Sequence, residues 1–103
     1  VTVYTPDAVA RLIRWRRHQV LVHSILYYRF DSPLISDHTY DALAQELIQL
    51  QREHPAISES VGYKLDAFRD FTSSTGYDLP LDSPGEVVVA KTLLELHNER
   101  PHS

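Results

Sequence analysis

The residues of this chain best suited to chemistry lie between His23 and Asp41, where three tyrosines, three aspartates and two histidines share a short run with one phenylalanine. Tyrosine offers a broad apolar ring with a polar tip, and an ionised carboxylate accepts hydrogen bonds, so this mixture suits a small cup with aromatic walls and an acidic rim. Asp37 and Asp41 are one helical turn apart and Tyr40 is three residues from Asp37, which puts all three on nearby parts of one helix surface. The two carboxylates repel each other modestly there unless a donor or a cation lies between them. The same residues would also serve a plain helix junction, with the rings packed, the hydroxyls at the surface, Asp31 as a turn residue and Asp37 as a first-turn charge.

Two helices must position these groups. Ser36 can cap the free N–H groups of the turn that follows it, and Asp37 sits where the helix dipole favours a carboxylate. Upstream, Tyr27 and Tyr28 occupy the last turns of a preceding helix, which Asp31-Ser32-Pro33 interrupts. A short loop between two helices makes an αα-hairpin, and this brings Tyr27 and Tyr28 close to Asp37, Tyr40 and Asp41.

The first helix starts at Thr5-Pro6-Asp7, a capping residue followed by proline at the first helical position and an acid, and its apolar spacing carries it to about residue 29. The second runs from Asp37 to Glu53 on the stripe of Tyr40, Leu43, Ala44, Leu47, Ile48 and Leu50, and His54-Pro55 ends it. Residues 58–72 read as a third helix through Val61, Leu65, Phe68 and Phe71. Ser73 to Gly76 reads as a plain loop and Tyr77 to Pro80 as extended. The last helix begins at Ser83-Pro84-Gly85-Glu86, a capping box, and continues to Asn98; Val87-Val88-Val89 alone would suggest a strand. The residues after Asn98 are expected to fray. The expected fold is therefore all-α, one domain over residues 1–103 with about four helices built on the αα-hairpin, and breaks at 30–36, 55–59 and 73–83.

Composition narrows the function. The chain has 103 residues, no cysteine and a formal charge of −4, so thiol chemistry is excluded and a nucleic-acid surface is disfavoured. No apolar run approaches the length of a membrane span and no signal-peptide pattern is present, which points to the cytoplasm. Arg14-Trp15-Arg16-Arg17-His18 is the only basic cluster; it reads either as a phosphate-contacting patch or as a solvated helix face with arginines over an aromatic ring. The six histidines are scattered, and His38 between Asp37 and Asp41 makes a poor chelate, so no metal site is expected. The three glycines are isolated and form no phosphate loop. No catalytic residue stands out, and an autonomous enzyme is not expected.

The run Tyr27-Tyr28, Asp31, Pro33, Ile35-Ser36-Asp37 and Tyr40-Asp41, continuing through Leu43, Glu46-Leu47 and Glu53-His54-Pro55, resembles the N-terminal helical subdomain of bacterial NAD-dependent DNA ligases. The resemblance covers residues 8–55 and leaves residues 56–103 as a divergent helical extension. It implies a unit that holds the nicotinamide mononucleotide half of NAD, with Tyr27, Tyr28 and Tyr40 near the nicotinamide and Asp37 and Asp41 near its amide and ribose. Arg29, close to the cup, is the candidate for the phosphate. The adenylation domain of that family carries a catalytic Lys-x-Asp-Gly, whereas Lys64 is followed by Leu65-Asp66-Ala67 and Lys91 by Thr92-Leu93-Leu94. Two functions stay open on this reading. In one, a ligase subdomain recruited as a stand-alone protein, such as a bacteriophage would encode, binds another protein such as a host factor. In the other, it is a module for nicotinamide mononucleotide or NAD, acting alone or with a separately encoded adenylation domain.

Overall fold

The computed structural model describes residues 5–72 and 75–99. The first helix, α1 (Pro6–Ser24), is capped by Thr5, whose side chain accepts from the Ala8 N–H at 3.2 Å, with Pro6 in the first turn. At Ser24 the helix widens into a π-helical turn, Ile25–Arg29, closed by the Phe30 N–H on the Ile25 carbonyl. Asp31 then takes a left-handed conformation at φ 49°, which stops the helix. After the loop, α2 (Asp37–Glu53) starts as expected at Ser36, which accepts from the Thr39 N–H at 3.1 Å.

The middle of the chain differs from the single helix expected over 58–72. It holds two short helices, α3 (Pro55–Ser60) and α4 (Leu65–Phe68). Pro55 ends α2 but also opens α3, because a residue without an N–H and with φ already near helical values fits a first helical position. Only His54 separates the two helices, so the break expected over 55–59 shrinks to that residue. The interruption lies later, where Val61 is extended and Lys64 is left-handed at φ 51°. A 3-10 turn, Gly76–Asp78, replaces the extended segment expected from Tyr77, although Leu79 is extended. Ser73, Ser74 and the last residues from Arg100 on, part of the expected loop and tail, lie outside the described residues.

The final helix, α5 (Pro84–Asn98), takes in the three valines. Its capping box is altered: Ser83 makes no bond to the backbone of the first turn and gives its hydroxyl proton to the Glu86 carboxylate instead. The described residues are thus all helix and loop, with five α-helices rather than four. Val9, Ile13, Val20, Leu21, Ile25 and Leu26 from the first helix and its π turn meet Ala44 and Leu47 of α2, Phe68 and Phe71 around α4, and Val87 and Ala90 of α5. The hydrophobic stripe of α1 is the spine against which the others pack.

Arg17 lies inside that packing. It is 0% exposed and donates to the carbonyls of Ser58, Val61 and Tyr63, to the Ser58 hydroxyl and to Gln51 Oε1, all at 2.7–3.0 Å. The solvated face expected for the basic cluster therefore holds for Arg14 and Trp15 but not for Arg17. Burial lowers the Arg17 pKa and the charge of Glu59 opposes this. Its guanidinium ties together the residues where α3 ends and the chain turns toward α4.

Candidate functional site

The hairpin forms as the loop length requires, and an open cavity of about 430 Å³ lies at its junction, a volume within the usual range for small-molecule sites. His23, Tyr27 and Tyr28 line it from the end of α1 and the π turn, Pro33, Leu34 and Ile35 from the loop, and Asp37, His38, Tyr40 and Asp41 from the start of α2. Five of the six residues singled out from the sequence thus face one space.

Tyr27 and Tyr28 reach it from the π turn, and the consecutive pairs Asp37-His38 and Tyr40-Asp41 from the first turns of α2. Tyr27 and Tyr28 are 45% and 44% exposed, with ring centroids 4.8 Å apart in an edge-to-face arrangement. The packed-ring reading of the junction fails for these two, whose rings are the open wall of the cavity. Tyr40 is different. Its hydroxyl is 2.8 Å from Ser24 Oγ, and Ser24, fully buried, already gives its single proton to the Val20 carbonyl at 2.7 Å. Tyr40 must therefore be the donor to Ser24, which leaves its ring as the part that serves the cavity. Burial raises the Tyr40 pKa, with the nearby charges of Tyr28 and Asp41 adding to it and the bond to Ser24 opposing it.

Asp37 and Asp41 are exposed and form no ion pair among the described residues. Two carboxylates on consecutive turns of one helix face make the rim attractive to donors and positive charge. Arg29, the sixth candidate, is not part of the lining. It donates to the Leu81 carbonyl at 3.0 Å, with its guanidinium 5.9 Å from the Phe30 ring, and so ties the π turn to the segment before α5.

Sequence reasoning missed two contributors. His23 lines the cavity, and its Nδ1 is sealed from solvent without a hydrogen-bond partner among the described residues. Burial lowers its pKa, which favours the neutral ring. Its place one turn before Tyr27 on the same helix was the available signal. The other contributor is the 3-10 turn, where Tyr77, 59% exposed, sets its ring 6.4 Å from that of Tyr28 and nearly perpendicular to it. No cluster of potential metal ligands occurs among the described residues. None of the described helices is long and apolar enough to cross a membrane.

A family model described as DNA ligase-like, N-terminal NAD+-binding domain matches residues 6–60. A DNA ligase of Heliobacterium modesticaldum is 35% identical over 97 residues, which takes in 87% of this chain and 14% of that ligase. One from Pseudothermotoga lettingae is 37% identical over 76 residues, or 67% of this chain and 11% of the ligase. One from Desulfitobacterium hafniense is 48% identical over 50 residues, or 48% of this chain and 7% of the ligase. The chain spans only 7% to 14% of the length of these relatives. The longest of the three alignments continues past residue 60, into the segment that the sequence motif left without a counterpart. The family match is to the N-terminal NAD+-binding unit and does not take in a catalytic adenylation domain, in line with the contexts of Lys64 and Lys91. No solved structure matches the chain.

Proposed function

This chain belongs to the family of DNA ligase-like N-terminal NAD+-binding domains, and from that premise we propose that its cavity binds the nicotinamide mononucleotide half of NAD+. The observation that carries the reading is that Tyr27, Tyr28, Asp37, Tyr40 and Asp41 all line one open cavity. The chemistry of the lining fits. The nicotinamide ring of NAD+ is flat and positively charged, and tyrosine faces attract such a cation while excluding water from it. The unpaired carboxylates Asp37 and Asp41 are acceptors for the carboxamide N–H groups and the ribose hydroxyls, and they add favourable charge.

The phosphate is served less well. Among the described residues the lining contains no arginine or lysine, and Arg29 is engaged at Leu81. The cavity thus suits the cationic end of the mononucleotide and leaves the anionic end for a second body. On this reading the natural partner is an adenylation domain, whether joined to this unit or separate, and the unit orients the nicotinamide and keeps water from it. The chemistry of adenylyl transfer belongs to that partner. Binding of an unrelated host protein has no comparable observation behind it.

Alone, the unit should bind weakly. Stacking contributes about 1–3 kcal/mol per ring and each net hydrogen bond about 0.5–1.5 kcal/mol, set against the rigid-body cost of association. This places Kd in the high micromolar range or weaker. Titration with nicotinamide mononucleotide, followed by amide shifts, should perturb Tyr27, Tyr28, Asp37, Tyr40 and Asp41, and Asp37→Ala should abolish the response in a folded protein. A flat titration at millimolar ligand would overturn the proposal.

A further inference from the structure

From the contacts of the 3-10 turn, we infer that Gly76 and Tyr77 are positioning residues of this cavity, a template that sets Tyr40 and Tyr28 from behind. The inference rests on the mononucleotide reading for its functional consequence and on geometry alone for its structural one. Gly76 is buried, and a Cβ placed on it would lie 2.4 Å from the Tyr40 hydroxyl oxygen, 3.3 Å from Tyr28 Cε2 and 3.5 Å from Ser24 Oγ. The first of these is far inside contact distance. Gly76 does not have positive φ, so glycine is required here for close approach and not for backbone freedom.

The Tyr40 hydroxyl cannot retreat easily. It is committed to Ser24, which is fixed in turn by the Val20 carbonyl, so the turn, Tyr40, Ser24 and α1 form one connected stack. Tyr77 extends the stack outward, with its ring edge-to-face with Tyr28 while remaining largely open to solvent. The chain from residue 76 thus backs a cavity whose lining, among the described residues, comes from residues 23–41. A segment outside the family-matched residues thereby sets the spacing of the rings between which a flat ligand would sit.

A mutant cycle tests this. Overpacking at Gly76→Ala should weaken binding of nicotinamide mononucleotide by about tenfold in the Tyr40 background. In the Tyr40→Phe background, where the clashing oxygen is gone, the same substitution should cost less than about threefold. Equal losses in the two backgrounds would overturn the inference. Tyr77→Ala, which removes only an exposed ring contact, should weaken binding about threefold while leaving the unfolding midpoint unchanged. Should the wild-type unit bind no mononucleotide, the mononucleotide reading fails, and the cycle is then read from thermal midpoints and from the Tyr28 ring resonances. Recovery of both by Tyr40→Phe supports the positioning role, and additivity overturns it.

Discussion

In the middle of α1 a charged side chain, Arg17, is closed off from water and satisfied on every side, whereas just beyond the end of the same helix Tyr27 and Tyr28 stand half in solvent beside two unpaired carboxylates. Both regions join α1 to later parts of the chain, and both would look polar and aromatic in a sequence. Their difference is in how completely the protein itself supplies partners. Around Arg17, carbonyls left over at the end of α3 need donors, and the guanidinium provides them. At the cavity the protein leaves acceptors and ring faces unused, as the proposed mononucleotide site requires.

The largest effect separating the two regions should come from Arg17→Met. Removing the guanidinium leaves the carbonyls of Val61 and Tyr63 without their donor and that of Ser58 with only the Val61 N–H, and each buried acceptor left unsatisfied costs about 1–3 kcal/mol. For a domain of this size that is a large share of total stability. Urea denaturation should show the loss, and an unshifted midpoint would mean that Arg17 is not enclosed as described.

Next in size is a pH effect that belongs to the enclosed region. Burial alone would raise the Glu86 pKa, but hydrogen bonds from Ser83 and Tyr63 and the charge of Lys64 outweigh it and bring the carboxyl from 4.5 down to about 2. Tyr63, desolvated and bonded to Glu86, is pushed up. Because the folded value for Glu86 is the lower one, its contribution is complete above pH 4.5 and is lost as pH falls toward 2. The contribution is at most about 3 kcal/mol. Unfolding free energies of wild type and Glu86→Gln should differ near neutral pH and converge in acid; a constant difference would show that the carboxylate is not held this way.

Tyr27→Ala should reverse the ranking of the two regions. A fully buried ring would cost about 2–4 kcal/mol on truncation, but at 45% exposure the loss should be about 1 kcal/mol or less. Affinity for nicotinamide mononucleotide should fall about tenfold, because a stacking face is lost. Calorimetric midpoints beside a titration would check the pair of outcomes.

The cavity was more legible in the sequence than the enclosed region, for a physical reason. Helix starts are written locally, in Thr5-Pro6 and Ser36-Asp37, and a short loop leaves the hairpin little freedom, so the meeting of Tyr27, Tyr28, Asp37, Tyr40 and Asp41 followed from neighbours in sequence. Arg17 takes its partners from residues 51 to 63, which its neighbours in sequence do not name; only its place on the apolar stripe, four residues after Ile13 and three before Val20, sets it apart from Arg14. The left-handed Lys64, which divides the expected third helix, has no local signal of the glycine or asparagine kind. The π turn escaped because periodicity sets the face of a helix but not the insertion of one residue into it. Arg29 looked close to the cup along the chain, and the same turn carries it to Leu81. Gly76 and Tyr77 reach the cavity from a distant segment, as Arg17 reaches its carbonyls, and were illegible on the same grounds.

The smallest expected change in stability is also the sharpest test of the contrast. Asp41 lies one turn after Asp37 on α2, exposed and without an ion pair among the described residues, so the two carboxylates repel each other across the rim. Like charges in that relation destabilise a helix by about 0.2–0.5 kcal/mol. Asp41→Asn should therefore leave the fold as stable as before or slightly more so, while keeping the size and shape of the side chain. Binding should move the other way, since the rim loses half its negative charge and one strong acceptor for a cationic ring and its hydroxyl-bearing ribose. Opposite signs in denaturation and in a nicotinamide mononucleotide titration mark residues held for a ligand at a small cost to the fold. If Asp41→Asn lowered stability and left binding alone, the carboxylate would be part of the helix junction, and the open region would differ from the enclosed one only in its exposure.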